Sequence, residues 1–449
     1  MPVRQRCPHD RRTPGFIMWY AFIDAQQRLA RAMVGGVLTE SASMPSAQTG
    51  WLSPNHATDA FSHWLLRSTC AFERTPPFAI HSVAVDGGRV SVDESVVASL
   101  PLGALLRFKR NLPTPPTETK PPVLLCAPLA GHHSVMLRET VETLLQERDV
   151  FVTDWADARD VPLEAGPLSL DDYVQALDSF IGNARAFGSP VHVVAICQAS
   201  VPALGAAALL AMDEAAPIAS ISLLGGPIDT RLNPTVTDRF ASSHTLEWFH
   251  DHAIDIVPPP YRGAGRLVYP GFIQQAAIFA AHPERQLRLE ADYWSRWLAG
   301  DMPGAQRALR SANEYAAVLD MTECYFLDML RVVFHEHLLP RDLWSVAGRR
   351  VRIAALCDTP LCTIEGDSDE ITGAGQTHCA HALCDTSPMR PARQLTIEQC
   401  NHYDLFIGPR WRDAVHPGLC EFWRDVEHAA SEVCQPRRAA SGSANRRSA

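Results

Sequence analysis

Apolar and polar positions alternate along this chain in a way that predicts short buried strands separated by helices. Aliphatic and β-branched runs predict core strands at residues 123–126, 150–153, 191–196 and 219–224. Helical patterns lie between them, and strands that alternate with helices are typical of a doubly wound, mostly parallel sheet. The alternation stops after Asp229 and resumes near Arg349. The pattern therefore predicts an α/β fold with a large helical cap insertion.

These patterns divide the chain into six segments. We predict a disordered extension at residues 1–17 and an N-terminal helical and mixed segment at residues 18–120, which ends in a proline-rich connector. The first part of the core follows at residues 121–230, the helical cap at 231–348 and the second part of the core at 349–427. Residues 428–449 are predicted to form a disordered tail.

The first predicted helix follows an arginine-rich stretch. Apolar residues recur at helical spacing from Trp19 to Val34 and predict an amphipathic helix. The arginines before it loosely mimic an export signal, but polar residues from Asp24 onward cut the apolar run short. No run of about eighteen apolar residues occurs, so we predict no transmembrane helix. Whether residues 1–17 belong to the native protein is open.

The composition narrows the partners and the compartment. A net charge of -10 argues against nucleic acid, because phosphate binding needs clustered positive charge. Twelve cysteines occur without a CxxC pair. The histidine pairs His132 with His133 and His335 with His337 lack a third ligand at a metal-site spacing. We therefore predict no metal site, no disulfide framework and free thiols in the cytoplasm. The oligomeric state is open.

A nucleophile elbow is predicted where the third core strand ends. The β-branched run up to Ile196 passes into Cys197, and an alanine-rich helix begins after Ser200. A strand, a sharp turn and a helix in this order lift a reactive side chain to the top of a parallel sheet. Ala195 and Ala199 supply the small flanking residues that the close approach of strand and helix requires. From this segment alone, a buried structural cysteine is the alternative.

Two further groups follow in the order in which an α/β-hydrolase places its acid and its histidine. The predicted strand at residues 361–364 leads into a loop with Asp367 and Asp369, where the expected position of the carboxylate favours Asp369. The next predicted strand leads to His402. In this arrangement His402 deprotonates Cys197, and Asp369 holds the imidazole ring and stabilises its charged form.

Two backbone N–H groups are expected to stabilise the oxyanion of an acyl-transfer intermediate. Gln198 opens the helix after the nucleophile, so its N–H points at the developing charge. The second donor is expected on the loop after the strand at residues 123–126, at Leu129 or Ala130. The sequence does not choose between these two residues.

Several tracts of the chain resemble the intracellular polyhydroxybutyrate depolymerases of bacteria, from about Met18 to about Val426. The resemblance is carried by Cys197 with Gln198 and by residues 127–132, 153–162, 171–173, 226–231, 268–272, 365–367, 375–377 and 402–403. The cysteine–glutamine elbow is specific to this family and to related polymer synthases, whereas ordinary esterases carry serine there. The resemblance implies a catalytic triad of Cys197, Asp369 and His402.

The same resemblance implies a cysteine-type α/β-hydrolase that depolymerises poly(3-hydroxybutyrate) at granules in the cytoplasm. It implies a covalent 3-hydroxyacyl thioester, released by water or by coenzyme A as monomers or oligomers, with no other cofactor. The choice between hydrolysis and thiolysis, and the preferred side-chain length of the polyester, stay open. Two alternatives also remain: a synthase-like acyltransferase, disfavoured by the tracts at residues 268–272 and 375–377, and a non-catalytic granule-binding relative, disfavoured by the intact triad.

Three positions depart from the family pattern. Asn401 and Asp404 stand where the family has glycine on either side of the His–Tyr pair, and we interpret both as residues that tolerate positive φ. Asp404 also brings a second carboxylate near the histidine, with an effect that stays open. Ala199 replaces a proline and is expected to be benign.

The cap is rich in large aromatic rings. Most of them are expected to form the core of the cap itself, and the rest to line a channel for an apolar polyester or to contact a granule. The rings are Trp248, Phe249, Tyr261, Tyr269, Phe272, Phe279, Trp294, Trp297, Tyr315 and Tyr325.

Overall fold

The computed structural model describes residues 19–29, 75–113, 120–187, 190–213, 218–281 and 283–434. The predicted extension at residues 1–17 and residues 435–449 of the predicted tail lie outside this part of the chain, as do residues 30–34 of the predicted first helix. The last helix runs to Cys434, past residue 428, where the sequence predicts disorder to begin.

Fourteen strands are formed by the described residues, nine of them in the main sheet. In the main sheet they are β1 Ser82–Val85, β2 Gly88–Leu100, β3 Gly103–Arg110, β4 Val123–Cys126, β5 Val150–Trp155, β6 His192–Ile196, β7 Ser220–Leu224, β13 Leu361–Gly366 and β14 Ala392–Ile397. In two small sheets they are β8 Asp255–Ile256, β9 Leu267–Tyr269, β10 Met321–Thr322, β11 Ser345–Val346 and β12 Arg349–Arg350.

The main sheet has the order β1-β2-β3-β5-β4-β6-β7-β13-β14. The pairs from β1 to β5 are antiparallel, and those from β5 through β4, β6, β7 and β13 to β14 are parallel. This mostly parallel order, with one crossover between β4 and β5, is that of the α/β-hydrolase fold. Strands β4, β6 and β7 are buried along their whole length, which explains their uninterrupted apolar runs. The predicted fold class is confirmed.

Helices cover the sheet and build the cap. The core helices are Arg138–Leu144, Leu170–Arg185, Ser200–Met212, Ala380–Cys384 and His416–Cys434, and a first helix spans residues 19–29. The cap helices are Val236–Ser243, Leu246–Ala253, Gly271–Ala281, Pro283–Ala299, Met302–Ala316 and Glu323–Met329. Helix Leu170–Arg185 begins where it does because Ser169 and Asp172 form a reciprocal capping box that satisfies two free backbone N–H groups.

The cap lies between β7 and β13 in sequence and is not purely helical. It also contains the sheet of β8, β9 and β10 and the hairpin of β11 and β12. These strands are two or three residues long, too short to produce the alternation by which a strand is recognised in a sequence.

The segment before the connector contributes strands to the main sheet. The sequence predicts only a helical and mixed segment there, but β2 and β3 extend the sheet through an antiparallel pair. The first helix lies against the cap. The Tyr20 backbone N–H donates to Asp255 Oδ2 at 2.8 Å, and the Tyr20 hydroxyl donates to Asp320 Oδ2 at 2.5 Å. Burial, together with the nearby Asp157 carboxylate, raises the pKa of Asp320 to about 7.

Cysteine chemistry departs from the sequence prediction at one residue. Eight cysteines of the described chain are free, among them Cys197. Cys324 forms a disulfide bond. The prediction that the cysteines are free thiols is therefore wrong for Cys324. In the described residues, no helix has the length and apolar character needed to cross a membrane.

Candidate active site

Cys197 lies in a strained turn at the top of the sheet. Strand β6 ends at Ile196, one 3-10 turn spans Cys197–Ala199, and the next helix begins at Ser200. Cys197 has φ +52°, in the left-handed region that residues other than glycine rarely adopt. A half-buried cysteine in a strained strand-to-helix turn is the geometry of a nucleophile elbow.

The turn is tightly packed against the end of β7. A Cβ on Gly226 would overlap the Ser200 side chain and lie 3.4 Å from the Cys197 carbonyl oxygen. A Cβ on Gly225 would lie 3.1 Å from His402 Cε1. Glycine at both positions therefore allows the nucleophile turn and the histidine loop to approach the same point.

Replacing Gly226 by alanine is expected to destabilise the protein by about 3 kcal/mol, because the new methyl group displaces Ser200 and the elbow with it. Urea unfolding measures this change. Gly182→Ala is the matched control, since Gly182 is an exposed helical residue with no atom near its Cβ position. This control is expected to be neutral or to stabilise the helix by up to about 1 kcal/mol. Equal stability of the two variants would contradict the packing argument.

His402 lies on the loop after β14 and is held by Asp369. His402 Nδ1 is 2.8 Å from Asp369 Oδ2, and the two side chains are only 5% and 2% exposed. Asp369 Oδ1 accepts the backbone N–H groups of Ile371 and Thr372, each at 2.8 Å. These bonds fix the carboxylate and orient the ring, so the other ring nitrogen, Nε2, is left for the hydrogen bond with Cys197.

The electrostatics of this group favour a proton on the histidine. Burial alone would lower the pKa of His402, but the charges of Asp369 and Cys197 outweigh it and raise the pKa well above its usual value. An imidazolium beside a cysteine stabilises the thiolate form, which is the reactive nucleophile. The three residues that the sequence places in order are thus brought together, and their catalytic role stays a prediction.

Most of the other free thiols are expected to be less reactive than Cys197, because burial raises their pKa. It raises the pKa of six of them to about 12, namely Cys126, Cys362, Cys379, Cys384, Cys400 and Cys420. A thiol with a raised pKa supplies little thiolate at neutral pH.

Brief treatment with iodoacetamide is therefore expected to modify Cys197 at least about tenfold faster than those six thiols, and His402→Ala should slow this labelling. Mass spectrometry of the digested protein gives the rate for each cysteine. An acyl-mimicking thiol reagent, run in parallel, tests whether the cap excludes a small amide. Uniform labelling by both reagents, unchanged in His402→Ala, would favour a structural cysteine.

Asp367 has a different environment from Asp369. It is exposed, and its Oδ1 accepts the backbone N–H of Cys400 at 3.2 Å and the Ser368 hydroxyl at 2.8 Å. These bonds lower the pKa of Asp367. The carboxylate that contacts the histidine is that of Asp369, in agreement with the choice made from the sequence.

The residues on either side of the histidine act differently from the sequence interpretation. Neither Asn401 nor Asp404 has positive φ, whereas Gln399, before the loop, has φ +52°. Asn401 Oδ1 instead accepts the backbone N–H groups of Tyr403 and Asp404, each at 3.1 Å. The interpretation by positive φ is wrong, because Asn401 stabilises the turn after the histidine through its side chain.

The expected oxyanion donors lie just after two neighbouring strands, β6 and β4. Gln198 follows the nucleophile, and β4 pairs with β6 so that Cys126 is opposite Ala195, which places the loop with Leu129 and Ala130 beside the elbow. Leu129 is buried and Ala130 is half-buried. Both remain predicted as the second donor.

Several residues that the sequence marks only as cap rings or as part of a histidine pair lie near the site. The Tyr325 hydroxyl donates to Gln198 Oε1 at 2.7 Å, so a cap ring contacts the residue after the nucleophile. His132 Nε2 is 3.4 Å from the Tyr403 hydroxyl, and its ring centre is 4.9 Å from that of Tyr315. Burial lowers the pKa of His132 to about 3, so it is a neutral polar residue here.

Other histidines that the sequence singles out bind polar groups of the fold. His133 contacts the Thr75 hydroxyl, with its two ring nitrogens 3.3 and 3.2 Å from Oγ1. His335 and His337 contact backbone carbonyls of Ala241 and Val333 at 2.8 and 2.9 Å. These contacts give His133, His335 and His337 partners within the fold.

One cluster with metal-ligand chemistry escapes the sequence prediction. Side-chain atoms of Glu147, His416 and Cys420 lie within 4.8 Å of one another, and the signal in the sequence is the i, i+4 spacing of His416 and Cys420. Cys420 Sγ is 3.3 Å from His416 Nε2, and Lys120 Nζ is 3.3 Å from Glu147 Oε2. These groups satisfy one another, and we assign no metal to them.

Part of the chain is similar to a known family. Residues 225–427 match the family described as "PHB de-polymerase C-terminus". No curated protein matches the chain. Solved structures that are similar to this chain include an alpha/beta hydrolase fold protein from Nakamurella multipartita, at 12% identity with a TM-score of 0.38, covering 77% of this chain and 99% of that protein. Carboxyl esterase 2 from Tuber melanosporum is 10% identical with a TM-score of 0.41, covering 88% and 98%. Residues 225–427 are thus similar to the C-terminal part of PHB depolymerases and belong to a chain with the sheet order of an α/β-hydrolase, which supports a carboxylic ester hydrolase.

Proposed function

We propose that the protein depolymerises poly(3-hydroxybutyrate) with Cys197 as nucleophile, His402 as general base and acid, and Asp369 as the carboxylate that orients the histidine. The observation that carries the proposal is the buried His402–Asp369 hydrogen bond beside a cysteine in a strained elbow. The family match over residues 225–427 supports a polyester as the substrate.

In the acylation step the Cys197 thiolate attacks the carbonyl carbon of an ester bond in the polymer. The tetrahedral oxyanion is expected to be stabilised by the N–H of Gln198 and by that of Leu129 or Ala130. The C–O bond then breaks, and the departing alkoxide takes its proton from the His402 imidazolium. A 3-hydroxyacyl thioester on Cys197 and a shortened chain with a free hydroxyl result.

In the deacylation step His402 acts as the base. It removes a proton from water, the hydroxide attacks the thioester carbonyl, and the C–S bond breaks to release a 3-hydroxy acid and return the thiol. Coenzyme A can take the place of water in the same geometry, because exchange between a thioester and a thiol is nearly isoenergetic. The product then is a 3-hydroxyacyl-CoA.

We further propose that the protein acts on granules in the cytoplasm. Large apolar side chains are exposed on the cap helices and supply surface for contact with an apolar polymer. They include Phe279, Leu287, Leu298 and Met302.

The two tracts that distinguish depolymerases from synthases have defined roles in the fold. The backbone N–H groups of Gly375 and Thr377 donate to the Glu365 carboxylate, at 2.8 and 2.7 Å, at the end of β13. The Gly271 N–H donates to Asp320 Oδ1 at 2.7 Å and ties the start of helix Gly271–Ala281 to the residue before β10, within the cap. Both tracts thus have structural contacts, and it is their presence in the sequence that favours a depolymerase over a synthase-like acyltransferase.

The experiment that tests the proposal uses the purified full chain with native amorphous granules, with and without coenzyme A. Cys197→Ala is the matched control for release that does not depend on the nucleophile. Soluble products are identified by mass spectrometry.

Release of 3-hydroxybutyrate or its oligomers by the wild type, but not by Cys197→Ala, supports hydrolysis. Release of 3-hydroxybutyryl-CoA supports thiolysis. Growth of the polymer in a parallel incubation supplied with 3-hydroxybutyryl-CoA would instead identify an acyltransferase. Binding to granules without any release would contradict the proposal and favour a non-catalytic granule protein.

A further inference from the structure

Arg285 lies in the cap with its guanidinium over the rings beside the catalytic histidine. It belongs to helix Pro283–Ala299, and its Cζ is 4.2 Å from the ring centre of Tyr403 and 5.2 Å from that of Tyr315. Its buried Nε has no hydrogen-bond partner among the residues that the structure describes. The guanidinium is therefore held in place by aromatic faces and not by a carboxylate.

The Tyr403 ring limits how far the guanidinium can lie from the histidine. Tyr403 directly follows His402. The Tyr403 ring centre is 6.0 Å from the His402 ring centre and 4.2 Å from the guanidinium carbon. The guanidinium carbon therefore lies at most about 10 Å from the centre of the His402 ring.

This half-buried cation has a buried Nε and no carboxylate at ion-pair distance among the described residues. Burial lowers the pKa of Arg285, and Tyr315, Tyr403 and Asp404 oppose that shift by charge alone, while Arg288 adds to it. A guanidinium nevertheless stays protonated in proteins, so the cation remains. Removing a charged group from water without a paired partner is unfavourable, and a bidentate carboxylate is the partner that best fits a guanidinium.

The substrate class of the proposed function contains one such group. A linear poly(3-hydroxybutyrate) chain has a carboxylate at one end only. When the last ester bond is cut, the terminal unit departs as 3-hydroxybutyrate, whose new hydroxyl oxygen takes its proton from His402. Its hydroxyl oxygen and carboxylate carbon are three bonds apart, roughly 4 Å. With a hydrogen bond of about 3 Å to the histidine and a carboxylate–guanidinium contact of about 4 Å, this unit is long enough to join His402 and Arg285 at the upper limit of their separation.

We propose that Arg285 binds the terminal carboxylate of the polyester, so that the enzyme cleaves the ester bond nearest the carboxyl end faster than an equivalent bond without a neighbouring charge. The inference rests on the proposed function and adds to it a specificity-determining residue on the leaving-group side.

The test compares two small substrates on the same enzyme preparation. One is the linear dimer of 3-hydroxybutyrate, and the other is that dimer with its terminal carboxylate converted to a primary amide, which removes the charge and adds no second ester. The ratio of their kcat/KM values is measured for the wild type, Arg285→Gln, Arg285→Lys and Arg288→Ala. A ratio within one preparation is independent of the fraction of folded enzyme.

The wild type is expected to prefer the acid by about 10- to 100-fold, as for other charge-assisted contacts. Arg285→Gln is expected to remove this preference, and Arg285→Lys to keep part of it. Arg288→Ala, an exposed charge on the same helix, is expected to keep it, which separates a local contact from a diffuse positive field.

Three results would overturn the inference while the proposed function stands. These are equal cleavage of acid and amide by the wild type, an unchanged ratio in Arg285→Gln, and a change in Arg285→Gln confined to the KM for coenzyme A, which would assign the cation to a phosphate. If the wild type cleaves neither dimer nor granules, the proposed function itself fails.

Discussion

Replacing Cys197 by alanine is expected to lower the turnover of polyester by on the order of 10⁶, because the covalent step loses its nucleophile. Folding should be unaffected. Alanine meets the same steric penalty at φ +52° as cysteine, and the side chain that is removed is only half-buried. Granule turnover, circular dichroism and co-sedimentation with granules measure activity, fold and binding separately.

Cys357→Ala is the matched control, since Cys357 is also a free, half-buried cysteine but lies outside the elbow. It should keep wild-type activity. If Cys197→Ala retained more than about a tenth of wild-type turnover, Cys197 could not be the nucleophile whose removal is expected to be this severe.

Asp369→Asn is expected to lower turnover by roughly 10⁴, and the reason lies in the direction of its hydrogen bonds. Asp369 Oδ1 accepts two backbone N–H groups, so an asparagine would keep its carbonyl oxygen there and turn its NH₂ group toward His402 Nδ1. The ring would then carry its proton on Nε2. In that tautomer the histidine cannot accept the proton of Cys197.

Asp367→Asn is the matched control, two residues away in the same loop. Its carboxylate is exposed and has no contact with the histidine, so only a small change in turnover is expected. Equal losses in the two variants, or a larger loss in Asp367→Asn, would assign the orienting role to the other carboxylate. The pH profile of kcat/KM, measured alongside, reports whether the histidine titration changes with the variant.

The sequence predicts those strands whose burial produces a continuous run of apolar residues. Strands β4, β6 and β7 are buried on both faces, and their apolar runs place them within a residue of their observed ends. By contrast, β2 is mostly exposed and its pairing with β3 is irregular between Val96 and Ala98. Neither an apolar run nor a regular alternation marks such a strand.

Some residues of the candidate site can likewise be predicted from the sequence, and others cannot. Cys197, Asp369 and His402 each follow a recognisable strand, so their order in the chain is enough to bring them to one edge of the sheet. Asn401 could not be interpreted correctly, because a side-chain cap and a positive φ favour the same residue type. Arg285 could not be found at all, since its partners come from a different helix and a distant loop.

The segment that matches the family model begins inside the main sheet, so it cannot be separated from the rest of the chain without opening that sheet. The matched segment begins at Gly225, directly after β7 ends, and β13 inside that segment pairs along Leu361–Ile364 with Ile221–Leu224 of β7. A fragment of residues 225–427 would leave that edge of β13 open and would hold the acid and the histidine without the cysteine. The matched segment is thus a unit of sequence similarity and not a unit of folding, and two fragments cut at its start should recover a complete sheet only by reassociating with each other.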